Sequence, residues 1–172
     1  EIKPIHSLGY QLEKVYSGNS DSYKFYDLSS DSYGVETPTG IDELTGESIL
    51  KFDDKNMNLK NDIKATFDQV TGLNTDSGEM FRLYNAAFAR FPDSNGLKYW
   101  IDMFASNTNT KRQIANSFIG SNEFAERYGS DVSDFDYIYN LYQNVLGRAP
   151  DSAGMNYWVG QITSGAETRA EA

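Results

Sequence analysis

Three aspartates carry the residue types and settings that could hold a metal ion: Asp42 in Gly40-Ile41-Asp42-Glu43-Leu44, and Asp53 and Asp54 after Lys51-Phe52. Carboxylate oxygens in turns suit a hard cation, and calcium is the natural candidate. The same aspartates serve as ordinary turn formers, accepting from nearby backbone N–H groups, and that role is the favoured one. Nucleophilic catalysis has little to work with. The single histidine, His6, stands in a weakly patterned stretch, and a Ser-His-Asp or Cys-His arrangement needs an oriented base. There is no cysteine, so disulfides, thiolate metal sites and cysteine nucleophiles are excluded. No G-x-S-x-G elbow, phosphate-binding glycine loop or H-E-x-x-H occurs. Among 25 acidic residues a glycosidase-type carboxylate pair can always be drawn, so none is nominated. The expectation is a protein that is not an enzyme.

The charge points the same way. A net charge of −10 repels phosphate backbones and anionic lipid, which excludes nucleic acid as a natural partner, and most of the carboxylates are read as solvated surface. No apolar run approaches the roughly 20 residues of a membrane span, so membrane insertion is not expected. Aromatic residues make up 14% of the chain, enough to build a core in 172 residues and to reject wholesale disorder. The chain opens on Glu1 without a methionine, as expected of a processed N-terminus or a piece of something longer.

The elements that would position these residues change character near the middle of the chain. Residues 1–22 show little pattern. From Tyr23 to Ile63 apolar positions alternate (Tyr23/Phe25, Tyr33/Val35, Leu50/Phe52, Met57/Leu59), and Asp53-Asp54-Lys55-Asn56 has the composition of a hairpin turn. Gly40 and Gly46 bracket another turn. From Asp76 the period becomes helical: Met80, Leu83, Tyr84, Ala87 and Phe88 share one face, as do Leu97, Trp100, Ile101 and Phe104. Asp76 with Glu79 and Thr110 with Gln113 read as capping boxes, the second ahead of Ile114, Phe118 and Ile119. Ser121 starts a short helix, Asp134 opens another through Val145, and a last one follows Pro150-Asp151. The expected fold is α+β: a β-rich segment over 1–72 with a poorly patterned N-terminal arm and a small antiparallel region, then a helical domain over 73–172.

The strongest feature is an internal repeat. LYNAAFARFPDSNGLKYW begins at Leu83 and LYQNVLGRAPDSAGMNYW at Leu141, an ungapped offset of 58 residues. Tyr84/Tyr142, Arg90/Arg148, Asp93/Asp151, Gly96/Gly154 and Trp100/Trp158 are identical pairs. Each unit reads as helix, corner, helix. Pro92 ends the first helix by removing a donor, and Asp93 caps the next. Gly96 sits where a side chain would crowd the neighbouring helix, Tyr99-Trp100 fill the groove, and Arg90 is placed to meet a carboxylate across the corner. Calcium ligation by Asp93, Asn95 and Asp151 is the alternative, but the EF-hand spacing is absent and capping is favoured. Trp100 and Trp158 are likewise read as core rather than as sugar-stacking platforms. The first unit continues through Ile114 to Ser121-Asn122-Glu123-Phe124, whereas the second reaches Thr168-Arg169 and stops at Ala172. The expectation is that a neighbouring copy supplies the missing packing surface, or that the chain is a fragment.

The pattern LYxxxxxRxPDxxGLxYW followed by Ser117–Gly129 (SFIGSNEFAERYG) resembles the bacterial domain-of-unknown-function family 4214 over residues 76–172. The resemblance implies an α-helical module of large secreted or surface-layer-like proteins, often beside RTX calcium repeats, with no catalytic residues assigned. The stretch before it also resembles the segment that often precedes such modules, with Gly40–Leu44 looking like one degenerate RTX turn. Together these imply an extracellular or cell-surface setting and a non-catalytic structural or assembly role, in a surface layer, a filament or a large secreted protein. The expected partners are copies of the chain itself or neighbouring domains, with an exposed strand edge or the N-terminal segment as donor. A calcium- or carbohydrate-binding module, with glycans as partners, is the alternative.

Overall fold

The structure is a computed structural model and describes residues 12–46 and 48–172. The reading of residues 1–11, His6 included, lies outside the described residues. The fold is α+β, as the sequence indicates. Contacts divide the chain into two compact units, residues 1–70 and 71–172.

The first unit holds two three-stranded sheets. β2 (Phe25–Ser29), β3 (Ser32–Thr37) and β4 (Gly40–Leu44) form an antiparallel meander, with Phe25 opposite Val35 and Tyr33 opposite Leu44. The other sheet has the order β1-β5-β6, from Glu13–Val15, Ile49–Lys51 and Asn56–Asn58. β5 and β6 are the antiparallel hairpin expected around Asp53–Asn56, with Leu50 opposite Met57. Val35, Leu44, Leu50 and Ile63 are fully buried, and Tyr16, Tyr23 and Phe52 pack ring to ring at 5.0–5.5 Å. A π-helical turn (Leu59–Lys64), capped by Asn58, leads into α1 (Ala65–Phe67).

Two expectations for this unit change. Part of the unpatterned N-terminal segment is β1, and it pairs with β5 in parallel rather than antiparallel fashion. Three residues are too few to display alternation, and Glu13 and Val15 both face solvent. Gly40–Leu44 is a strand, not an RTX-like turn: Leu44 goes fully into the core and Asp42 stands opposite Val35.

The second unit is helical: α2 (Asp76–Phe88), α3 (Ser94–Ala105), α4 (Lys111–Ile119), α5 (Asn122–Tyr128), α6 (Asp134–Leu146) and α7 (Ser152–Ser164). α2 and α3 form one helix-corner-helix, α6 and α7 its repeat, and α2 packs on α6. Side-chain oxygens start most of these helices. Thr75 accepts from Gly78 N, Thr110 and Gln113 form the expected reciprocal box, Ser121 accepts from Phe124 N, and Ser133 from Asp136 N. For α2 the cap is therefore Thr75, one residue before the expected Asp76, which adds its negative charge to the first turn instead.

Candidate functional site: the paired helix-corner-helix faces

In both repeats the corner is built in the same way. The Tyr84 hydroxyl lies against Gly96 so closely that a Cβ there would meet it at 2.6 Å, and Tyr142 stands at the same 2.6 Å from a Cβ on Gly154. The missing Cβ lets the tyrosine span the helix pair as it stands, so an added Cβ would have to displace the ring end. The arginine folds back over that ring: Arg90 lies 5.4 Å from the Tyr84 centroid and Arg148 5.5 Å from that of Tyr142. Each donates Nη1 to the carbonyl of the next residue, Phe91 O at 3.0 Å and Ala149 O at 3.2 Å. Tyr99 and Tyr157 do not fill the groove: both are exposed and meet their tryptophan edge-on, because adjacent helix positions diverge by about 100°.

The repeats diverge in what covers them. In the first, α4 lays Phe118 into a box formed by Tyr84 at 4.9 Å, Phe88 at 4.9 Å and Trp100 at 5.3 Å, ring to ring. α5 then brings Glu123 to Arg90, which donates from Nε to Oε1 and from Nη2 to Oε2 at 2.9 Å, a two-point pair with the guanidinium mostly buried. Burial works against the Arg90 charge, but Glu123 and Asp93 outweigh it and hold the guanidinium pKa above its usual value. Burial pushes the Tyr84 phenol up to about 12, and does the same to Tyr137.

In the second repeat Phe88 is replaced by Leu146 and Ala87 by Val145. The first two are 4% and 7% exposed, their counterparts 54% and 58%. Trp158 has only Tyr157 as a ring neighbour, and no carboxylate meets Arg148, among the described residues. Tyr142, Val145, Leu146 and Trp158 line an open groove of about 330 Å³, mostly apolar, which also runs along α2 and α4.

The capping aspartates differ as well. Asp151 accepts from Gly154 N at 2.7 Å. Asp93 occupies the N-cap position without a cap bond, because its carboxylate turns to Arg90 at 3.2 Å.

Two features of the unit were not expected from the sequence. Asn85 donates to Asn144 O at 2.7 Å, and Asn144 donates to Ala86 O at 2.8 Å and to the Tyr128 hydroxyl at 2.7 Å, a reciprocal clamp between α2 and α6. The only hint was asparagine inside otherwise apolar-faced helices, Asn85 in α2 and Asn140 and Asn144 in α6. The second lies at residues 168–172. Thr168 N donates to Glu171 Oε2 at 2.6 Å and Ala172 N to Thr168 O at 3.2 Å. Thr110 N likewise donates to Gln113 Oε1 at 2.8 Å and Ile114 N to Thr110 O at 3.0 Å, 58 residues earlier. The turn at Thr168 thus repeats two hydrogen bonds of the first turn of α4, with Glu171 N going to Thr168 O where Gln113 N goes to the Thr110 hydroxyl.

The three aspartates considered for calcium are occupied by protein donors. Asp42 accepts from Tyr16 OH at 2.5 Å and Lys14 Nζ at 2.9 Å, and these two partners lower its pKa. Asp53 accepts from Gly18 N at 3.0 Å. Asp54 accepts from Ser20 N and Ser20 Oγ, each at 2.7 Å, and these bonds outweigh burial in lowering its pKa. Asp53 and Asp54 therefore pin the loop after β1, and no group of three or more potential metal ligands occurs among the described residues.

The family model described as Domain of unknown function (DUF4214) matches twice, over residues 64–124 and 115–172. The two matches overlap, so the end of α4 and the start of α5 belong to both copies. No curated protein and no solved structure matches the chain.

Proposed function

The chain belongs to the DUF4214 family, and from that premise we propose that it is a non-catalytic structural or assembly module, working outside the cell or at its surface as part of a surface layer, a filament or a large secreted protein. The observation that carries this reading is the sharing of elements between successive copies. The segment that covers the first helix pair also opens the second match, and α2 is clamped to α6 by the Asn85/Asn144 exchange. A unit that borrows its cover from the next one is suited to linear stacking. Two arginine–carboxylate pairs of the helical unit, Arg90–Glu123 and Arg169–Asp134, join one segment of the scaffold to another.

Particle mass measured by light scattering over a range of concentrations, with chelator-treated protein and again with added calcium, tests the proposal. Growth beyond one chain supports it, and growth only with calcium brings the acidic turns into the assembly. A mass fixed at one chain under both conditions contradicts it and favours a monomeric ligand-binding module.

A further inference from the structure

We propose that the exposed face of α6 and α7 is a docking groove for one kind of occupant: an α4-type helix from a further unit of this same family, seated in the register that the Thr168 turn sets. The inference rests on the assembly reading and names the surface and partner it uses.

The first repeat serves as the template. There the occupant is a helix that begins on a threonine capping box, carries an aromatic ring eight residues after the threonine, and is followed five residues later by a glutamate: Thr110, Phe118, Glu123. The receiving side offers Tyr84, Phe88 and Trp100 to the ring and Arg90 to the carboxylate. The second repeat offers Tyr142, Leu146 and Trp158, with Arg148 already folded over Tyr142 in the posture of Arg90. One arm of the capping box is present too, since Thr168 N is held by Glu171 as Thr110 N is by Gln113. Arg169 occupies the Lys111 position and is fixed by Asp134 and by the Val132 carbonyl. Leu146 and Val145 are each more than half exposed on this face, and a ring laid there would remove them from water. A generic apolar ligand would satisfy the groove but not Arg148. A helix of the α4 pattern, with the glutamate that follows it at the start of α5, satisfies both.

The test extends the full chain after Ala172 by the sequence of residues 115–129, which continues the Thr168 turn in the α4 register. Trp100→Phe is introduced so that emission reports Trp158. The expected result is a blue shift of Trp158 emission and a rise in melting temperature of about 5 °C or more, as burial of one aromatic ring implies for a chain of this size. Alanine in place of the added phenylalanine that repeats Phe118 should abolish both changes, as should Leu146→Asp, and glutamine in place of the added glutamate that repeats Glu123 should reduce the rise. An extension that leaves emission and melting temperature at the values of the unextended chain overturns the proposal, as does a gain that survives Leu146→Asp. The two readings fail separately. A stabilised extended chain whose unextended parent stays monomeric at all concentrations refutes assembly but not the groove. Assembly of the unextended chain, beside an extended chain that shows neither change, refutes the groove but not assembly.

Discussion

The helix pairs α2–α3 and α6–α7 share a corner, an arginine posture and a tyrosine-on-glycine contact, yet only the first has a lid. That difference separates what the repeat needs to fold from what it needs to be complete. The corner forms in both, so its geometry is set locally by proline, glycine and the tyrosine. Burial of the helix faces is set by α4 and α5, and it differs roughly tenfold at equivalent positions.

Substitutions at paired positions sharpen or break this comparison. The largest effect is expected at the lid: Phe118→Ala should lower stability by about 3–5 kcal/mol in chemical denaturation, as loss of a buried phenylalanine does, whereas Leu146→Ala, on the uncovered counterpart, should change it by less than about 0.5 kcal/mol. Equal losses would break the comparison. Arg90→Ala should cost about 2 kcal/mol, because it strands Glu123 beside a buried corner, and Arg148→Ala less than about 0.5 kcal/mol. Gly96→Ala forces the confined Tyr84 ring against Phe118 and should cost about 1–3 kcal/mol. Tyr142 has room to yield, so Gly154→Ala should fall near zero, with about 1 kcal/mol of helix propensity offsetting the displacement.

The smallest difference concerns the ends of α2 and α6. Both stop on a left-handed residue, Gly147 at φ 64° and Ala89 at φ 49°. Left-handed backbone costs an L-residue about 1 kcal/mol that glycine avoids. Ala89→Gly should therefore raise stability by up to about 1 kcal/mol, and Gly147→Ala should lower it by a similar amount, read from paired denaturation midpoints.

How much of this was legible in the sequence follows from the range of each interaction. The helix faces, the Thr110–Gln113 box and the repeat register depend on residues within one or two turns, so periodicity and capping chemistry expose them. The hairpin at Asp53–Asn56 is equally local. The parallel β1–β5 pair is not: Glu13 and Ile49 are joined across a whole intervening sheet, and nothing in a three-residue strand announces its partner. Asp93 and Asp151 show the same limit at a single site. Their flanking motifs are alike, but only Asp151 caps, because the Asp93 carboxylate turns to Arg90 instead of to the helix N-terminus. The contrast between covered and uncovered faces was legible only as a repeat whose continuation differed. Which side chains stood in solvent required the structure.

Amide hydrogen exchange of α3 against α7 in the dilute, unassembled chain tests most directly the claim that α4 is what closes a unit. The account predicts that α7 amides exchange at least about tenfold faster than those of α3, and that Phe118→Ala brings α3 to the rate of α7. Equal protection of the two helices in the native chain, with α3 unmoved by Phe118→Ala, would contradict it.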